Sequence, residues 1–247
     1  MWSLRYEARR ALFRVQHKKR ARGLKEMRHG FTEAGYSFLP FIENECIFVH
    51  IPKCGGSSIS QALFGNSAGD HIAIGEYSQA FSSREFNRYF KFTFVRNPWD
   101  RLVSAYHFMK QRNWDPAGTG SVGNLSEYPE FDLFVRGWLN PDSIKMHAVF
   151  RPQTSYIFRK DKLMVDFVGY LENIEDDFGY IRSKIGSDVD LLHLNQGKLR
   201  SSDYRDYYNY ETIRIVENIY RDDITRLGYS FDNSSLTTQI ATRDQRL

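Results

Sequence analysis

The chain has 247 residues, of which 26% are charged and 15% aromatic, a balance that suits one folded α/β domain and excludes a disordered chain. Its formal net charge is only +4, and no run of about 18 apolar residues occurs that would cross a membrane as a helix. The two cysteines, Cys46 and Cys54, fit neither a zinc spacing nor a disulfide framework, which predicts a reducing environment.

In chain order, residues 2–29 read as a helix with Leu4, Ala8, Ala11, Leu12 and Val15 on one stripe. Residues 1–30 hold ten Lys and Arg against Glu7 and Glu26, a balance of +8, so the remaining chain sums to −4. This basic N-terminal arm is either packed on the domain with its charges solvated, the favoured reading, or lies peripherally on an anionic membrane. No nucleic-acid partner is expected, because aromatic residues are not interleaved with these charges.

Residues 35–44 read as a loop or short strand. Residues 47–51 form an apolar, β-branched run bounded by Pro52, the pattern of a buried strand. Residues 57–64 then read as a helix with a hydroxyl residue at its N-cap. Between them stand Pro52, Lys53, Cys54, Gly55 and Gly56, followed by Ser57 and Ser58. A strand that turns through glycines into a helix start aims N–H groups and the helix dipole at one spot, an anion site that Lys53 and the two hydroxyls strengthen. In nucleotide-binding loops the lysine follows the glycines, whereas Lys53 precedes them. The plainer alternative is a strand-turn-helix corner with a surface lysine.

Residues 65–70 are a turn-rich break, and a helical patch follows near residues 82–89. Phe92, Phe94 and Val95 read as a second buried strand ending at Arg96, with Asn97 as N-cap and Pro98 at the first helical position. Asp100 suits the first turn, and Trp99, Leu102, Val103 and Tyr106 recur at helical spacing, so that face is core. Arg96 and Ser104 remain as polar candidates. Residues 111–130, with Gly118, Gly120 and Gly123, fit a surface loop over an acceptor site. Residues 131–139 read as a helix and 151–154 as irregular; 163–171 is a strand, and a helix runs from 173 or 175 to 185. Residues 193–202 read as a loop where Asn195, Lys198, Arg200 and Ser201 are candidate ligand contacts. Residues 206–227 read as one long helix stopped by Gly228, and residues 233–247 as a polar, mobile tail.

Together, the loop at residues 51–58 and the strand-helix unit at residues 94–106 resemble the sulfotransferases that use 3′-phosphoadenosine 5′-phosphosulfate, most closely the carbohydrate (family 2 type) branch. The resemblance continues through residues 165–174, 194–198, 204–208 and 211–231, so it spans roughly residues 38–232. It implies that Lys53, Cys54, Gly55, Gly56, Ser57 and Ser58 hold the 5′-phosphosulfate, that Arg96 and Ser104 hold the 3′-phosphate, and that Lys198 also touches the donor. One departure is Tyr170, where relatives often carry Arg, which puts any ligand contact there in question. The implied fold is a three-layer, P-loop-like α/β domain, with a central parallel sheet flanked by helices, over residues 31–232.

The implied reaction is in-line transfer of a sulfuryl group to an acceptor hydroxyl, expected on a glycan, in which positioning and electrostatics carry most of the effect. Lys53 is the expected stabiliser of the leaving phosphate, and the planar guanidinium of Arg96 suits a phosphate dianion. With two fixed cations at the donor, no metal is expected. The acceptor needs a base; of seven histidines, His71 is chosen, with Glu76 and His50 as fallbacks. Arg112, Trp114, Tyr128 and Arg151 read equally well as sugar contacts and as ordinary surface. Golgi relatives carry a membrane anchor; without one the chain is expected in the cytoplasm, with peripheral membrane contact as an option. The alternatives are a non-catalytic glycan- or membrane-binding module on the same fold and, more remotely, a P-loop kinase.

Overall fold

The computed structural model describes residues 22–33, 35–65, 69–111, 127–190 and 203–243. Its centre is set by the two apolar runs that the sequence marks as strands. Cys46–Val49 (β1) and Phe90–Val95 (β2) pair in parallel, with Cys46 opposite Phe90 and Val49 opposite Thr93. A two-residue antiparallel ribbon, Phe158–Arg159 (β3) and Lys162–Leu163 (β4), stands apart from them. Phe167–Tyr170 (β5) pairs in parallel with the other edge of β2, Phe92 opposite Phe167 and Val95 opposite Tyr170. The sheet order is therefore β1-β2-β5, with β2 central.

Every residue of β1 and β5 is buried. Parallel strands covered on both faces need continuous apolar runs, which is why these segments show no polar alternation. Because all three strands run the same way, His50, Arg96 and Leu171, each one residue past a strand end, emerge along one edge of the sheet.

Before β1 lies a short helix, Leu39–Glu43 (α1), where a loop or strand is expected from sequence; Pro40 sits in its first turn, where the missing N–H costs nothing. Gly56–Phe64 (α2), Ile74–Ala80 (α3) and Ser83–Arg88 (α4) connect β1 to β2. Pro98–Gln111 (α5) follows β2; Phe131–Gly137 (α6), Ser143–Met146 (α7) and Thr154–Ile157 (α8) come before the ribbon. Ile174–Ile185 (α9) follows β5 and ends at Gly186 in the left-handed region. Asn97 caps α5 as its sequence predicts, its Oδ1 accepting from the Trp99 N–H at 3.0 Å.

The core has two parts. One is built on the sheet around Phe48, Phe92, Phe94 and Phe167; the other packs Trp99, Val103 and Tyr106 of α5 against Phe134 of α6 and Val216.

The C-terminal part differs in two places from the elements expected there. The helix expected over residues 206–227 is divided into Tyr210–Ile219 (α10) and Arg221–Leu227 (α11), after a 3₁₀ turn at Tyr204–Tyr207. The break falls at Tyr220, which is buried and donates its hydroxyl to the Phe150 carbonyl at 2.7 Å. The expected mobile tail contains a helix, Leu236–Arg243 (α12). It is fastened by Arg243, whose Nη1 lies 2.6 Å from Oδ1 of the buried Asp177, with the guanidinium over the Phe167 ring. Of the basic arm, only residues 22–30 are described; they carry a helical segment at 22–26, and Arg28 pairs with Glu85 at 2.7 Å. No helix among the described residues is long and apolar enough to cross a membrane.

Candidate active site

The loop after β1 is held in an unusual backbone conformation. Lys53 has φ 68° and Gly55 φ 76°, both in the left-handed region. For a side chain as large as lysine this costs on the order of 1 kcal/mol or more, so the surroundings must impose it. They do so at three successive residues. The Pro52 carbonyl accepts from Arg101 Nε at 3.0 Å, the Lys53 carbonyl from Arg96 Nη1 at 3.3 Å, and the Cys54 thiol donates to Gln153 Oε1 at 3.2 Å. The Cys54 thiol is thus turned into the core, where burial pushes its pKa up to about 12, and its side chain does not face the loop's opening.

Sequence reasoning put a hydroxyl residue at the N-cap of α2. Instead Gly55 occupies it, without a side-chain cap. A Cβ on Gly55 would lie 2.7 Å from Leu171 Cδ1, and one on Gly56 would lie 2.0 Å from His50 Cδ2. Both glycines are therefore fixed by close neighbours, and Gly55 by its φ as well. The Ser58 N–H turns back to the Gly55 carbonyl at 3.1 Å, so the first N–H groups of the helix that lack an intrahelical acceptor are those of Gly56 and Ser57. Ser57 is exposed and Ser58 half-buried at this helix start.

Arg96 leaves the end of β2 half-buried, its Nε 2.7 Å from Asp100 Oδ2. The ion pair that is the bland reading of Arg96 does exist, one turn into α5. Asp100, Ser104 and Phe108 share one face of that helix at four-residue spacing. Asp100 holds Arg96, and Lys53 Nζ stands 4.3 Å from the Phe108 ring centroid. Ser104, half-buried, lies between them in the sequence of that face, so α5 gathers Lys53, Arg96 and Ser104 on one side.

His71 stands beside this loop. Its Nδ1 is 3.1 Å from the His50 carbonyl oxygen, and its ring meets the His50 ring edge-on at 4.4 Å. A carbonyl only accepts, so Nδ1 carries the proton and Nε2 carries the lone pair. Burial is the main cause that lowers the His71 pKa; its bond to the His50 backbone and Asp70 oppose this, while Arg101 and Lys53 add to it. His50 is lowered further, to about 3, by burial and then by His71. Glu76, the fallback base, is engaged in capping α3, its Oε2 accepting from the Ala73 N–H at 3.3 Å.

Other predicted contacts divide cleanly. Lys198, with Asn195, Arg200 and Ser201, lies outside the described residues, as do Arg112 and Trp114. Tyr170 is core, donating its hydroxyl to the Leu227 carbonyl at 3.1 Å, in line with its departure from the usual Arg. Arg151 is exposed and donates to the Lys145 carbonyl. Sequence reasoning missed Arg101, Gln153 and Asp223, all buried, which brace the loop from behind; the polar stretches around Gln153 and Asp223 carry no sign of burial. It also missed Glu172, whose Oε1 accepts from the Asn97 N–H at 2.6 Å and whose pKa is raised chiefly by burial. Among the described residues, no group of three His, Cys, Asp or Glu side chains gathers as metal ligands would.

Comparison with known proteins gives three findings. An uncharacterized protein of Archaeoglobus fulgidus is 34% identical over 108 residues, covering 43% of this chain and 75% of that protein. No solved structure matches significantly. The model of the sulfotransferase family matches residues 38–230, which include β1, β2, β5, the loop at residues 51–58 and the strand-helix unit at residues 94–106, and the chain therefore belongs to the sulfotransferase family.

Proposed function

We propose that the chain is a sulfotransferase that takes its sulfuryl group from 3′-phosphoadenosine 5′-phosphosulfate and delivers it to an acceptor hydroxyl, that of a glycan. The observation that carries this reading is the convergence of the two motifs: Lys53 and Arg96 leave adjacent parallel strands, and Arg96 Nη1 reaches the Lys53 carbonyl at 3.3 Å. The donor set fits a nucleotide with two phosphate groups, since a helix start and a lysine form one anion-binding cluster and an arginine with a nearby hydroxyl forms another. The P-loop-like character of the domain belongs to the same reading.

When bound, the donor supplies the sulfuryl group and, as leaving group, a nucleotide phosphate. Lys53 and the N–H groups of Gly56 and Ser57 hold the 5′-phosphate side and face the negative charge that grows there, with Ser58 beside them. Cys54 and Gly55 contribute backbone to the same turn. Arg96, oriented by Asp100, and Ser104 hold the 3′-phosphate, and Lys198 reaches the donor from its own segment. His71 takes the acceptor proton at Nε2, while the His50 carbonyl keeps its Nδ1–H in place. The glycan acceptor, the cytoplasmic location and peripheral membrane contact through the basic arm rest on the resemblance and the charge pattern alone.

The test is transfer of radiolabelled sulfate from the donor to a panel of glycan acceptors by the full chain. Label on an acceptor hydroxyl, lost in Lys53→Ala, supports the reading. Nucleotide binding without transfer to any glycan or simple alcohol contradicts it.

A further inference from the structure

Two cations on separate segments can serve one nucleotide only if their spacing is fixed, and beside the Arg96 guanidinium itself a side chain that joins the two segments is Gln153. It is fully buried at the start of α8. Its Nε2 donates to the Arg96 carbonyl at 2.8 Å, and its Oε1 accepts from the Arg96 N–H at 2.9 Å. The carboxamide thus pairs with both backbone groups of Arg96, just beyond the last residue of β2 that β5 pairs. The same Oε1 accepts from the Cys54 thiol, one residue past Lys53.

Gln153 is itself tied down. Its N–H donates to Asp223 Oδ2 at 2.7 Å, and Thr154 donates both its N–H and its hydroxyl to Asp223 Oδ1, each at 2.8 Å. Arg101 closes the frame by bonding the carbonyls of Val149 and Arg151 on one side and that of Pro52 on the other. An apolar residue of similar size would fill the same volume; the carboxamide also supplies a donor and an acceptor to the two backbone groups of Arg96 at once.

We propose that Gln153 is a positioning residue for the transfer reaction, fixing the segment that carries Arg96 against the loop that carries Lys53 and so setting the distance between the two phosphate-binding cations. This rests on the donor reading given above. Gln153 touches neither substrate; it acts through the backbone of Arg96 and through Cys54. Its loss should therefore weaken ligands that engage both cations more than ligands that engage one.

The test compares equilibrium binding of 3′-phosphoadenosine 5′-phosphate with that of adenosine 5′-monophosphate to the full chain, in wild type, Gln153→Met and Gln153→Glu. Methionine keeps the volume and loses both bonds; glutamate, compared at a pH where its carboxylate is ionised, keeps the acceptor and loses the donor. The preference for the bisphosphate should fall by about tenfold in Gln153→Met, the scale of one or two buried hydrogen bonds, and by less in Gln153→Glu. Arg243→Met, which breaks the buried pair with Asp177 away from both segments, serves as a structural control: it should lower Tm and keep the preference. If Gln153→Met does not fold, judged by near-UV circular dichroism, Gln153→Glu decides alone. A wild-type preference that survives in the folded variants overturns the positioning role while leaving the donor reading intact. A wild-type chain with no preference for the bisphosphate removes the donor reading, and the proposal with it.

Discussion

The Nδ1 of His71 lies 3.1 Å from the carbonyl oxygen of His50, at the end of the strand that leads into the lysine loop. This bond assigns the tautomer, leaving the Nε2 lone pair to take a proton, and it anchors the ring to the element that positions Lys53. Replacing His71 with Ala should lower kcat by about 10²-fold or more, the usual range for a positioned base, while 3′-phosphoadenosine 5′-phosphate binds with little change. Steady-state kinetics beside a binding titration checks this. Unchanged kcat would move the base elsewhere, with His50 next in line.

The lowered His71 pKa fixes the sign of the pH dependence. A base with a depressed pKa stays neutral further into acid, so the acidic limb of the kcat/KM profile should fall below the ordinary imidazole value of 6.5. A limb above that value would contradict the assignment.

His50 makes a separate prediction about stability. Its pKa in the fold, about 3, is far below the ordinary 6.5, so the unfolded chain binds more protons between these values. Its contribution to stability is complete above 6.5 and declines as pH falls toward 3. His50→Phe keeps a ring against Phe48 and Gly56 and should show a shallower loss of Tm across that window. His71, lowered in the same direction, retains part of the slope in the variant. Parallel wild-type and variant curves would rule out a His50 that stays neutral across that window.

Gly56 is a steric position. A Cβ there would meet the His50 ring at 2.0 and 2.1 Å, so the ring or the start of α2 must shift. Gly56→Ala should cost about 1–3 kcal/mol in chemical denaturation, the range for overpacking. It should also weaken nucleotide binding, because the displaced ring adjoins the helix start.

Arg96 bonds Asp100 through Nε and the Lys53 carbonyl through Nη1, which leaves its fork oriented. Arg96→Lys retains the charge and loses this geometry. It should weaken 3′-phosphoadenosine 5′-phosphate by about tenfold, close to the loss in Arg96→Ala, and leave adenosine 5′-monophosphate nearly unaffected. Full rescue by lysine would show that charge alone matters there.

Much of this was legible in the sequence because it is local. The strands β1 and β2 are apolar runs with clear stops at Pro52 and at the Asn97, Pro98 helix start; Lys53 and Arg96 are marked by their place beside those stops, and Ser104 by its polarity two turns into α5. What was not legible depends on distant partners. Gln153 stands in a segment without periodicity, and its partners Arg96 and Cys54 are 57 and 99 residues away. The apolar stripe of residues 206–227 runs through Tyr220 without a signal that burial of its hydroxyl against Phe150 would break the helix. The tail reads as polar because the residue that fixes α12, Arg243, is charged, and its buried partner Asp177 lies 66 residues earlier.

In the proposed function the Lys53 loop and Arg96 together recognise a bisphosphorylated adenosine. Calorimetric titration of the full chain in metal-free buffer, with 3′-phosphoadenosine 5′-phosphate and with ATP, tests it most directly. Tight binding of the first and weak or no binding of the second is expected, with the difference lost in Arg96→Ala. Equal binding of both, or tight binding of ATP alone on adding Mg²⁺, would contradict it.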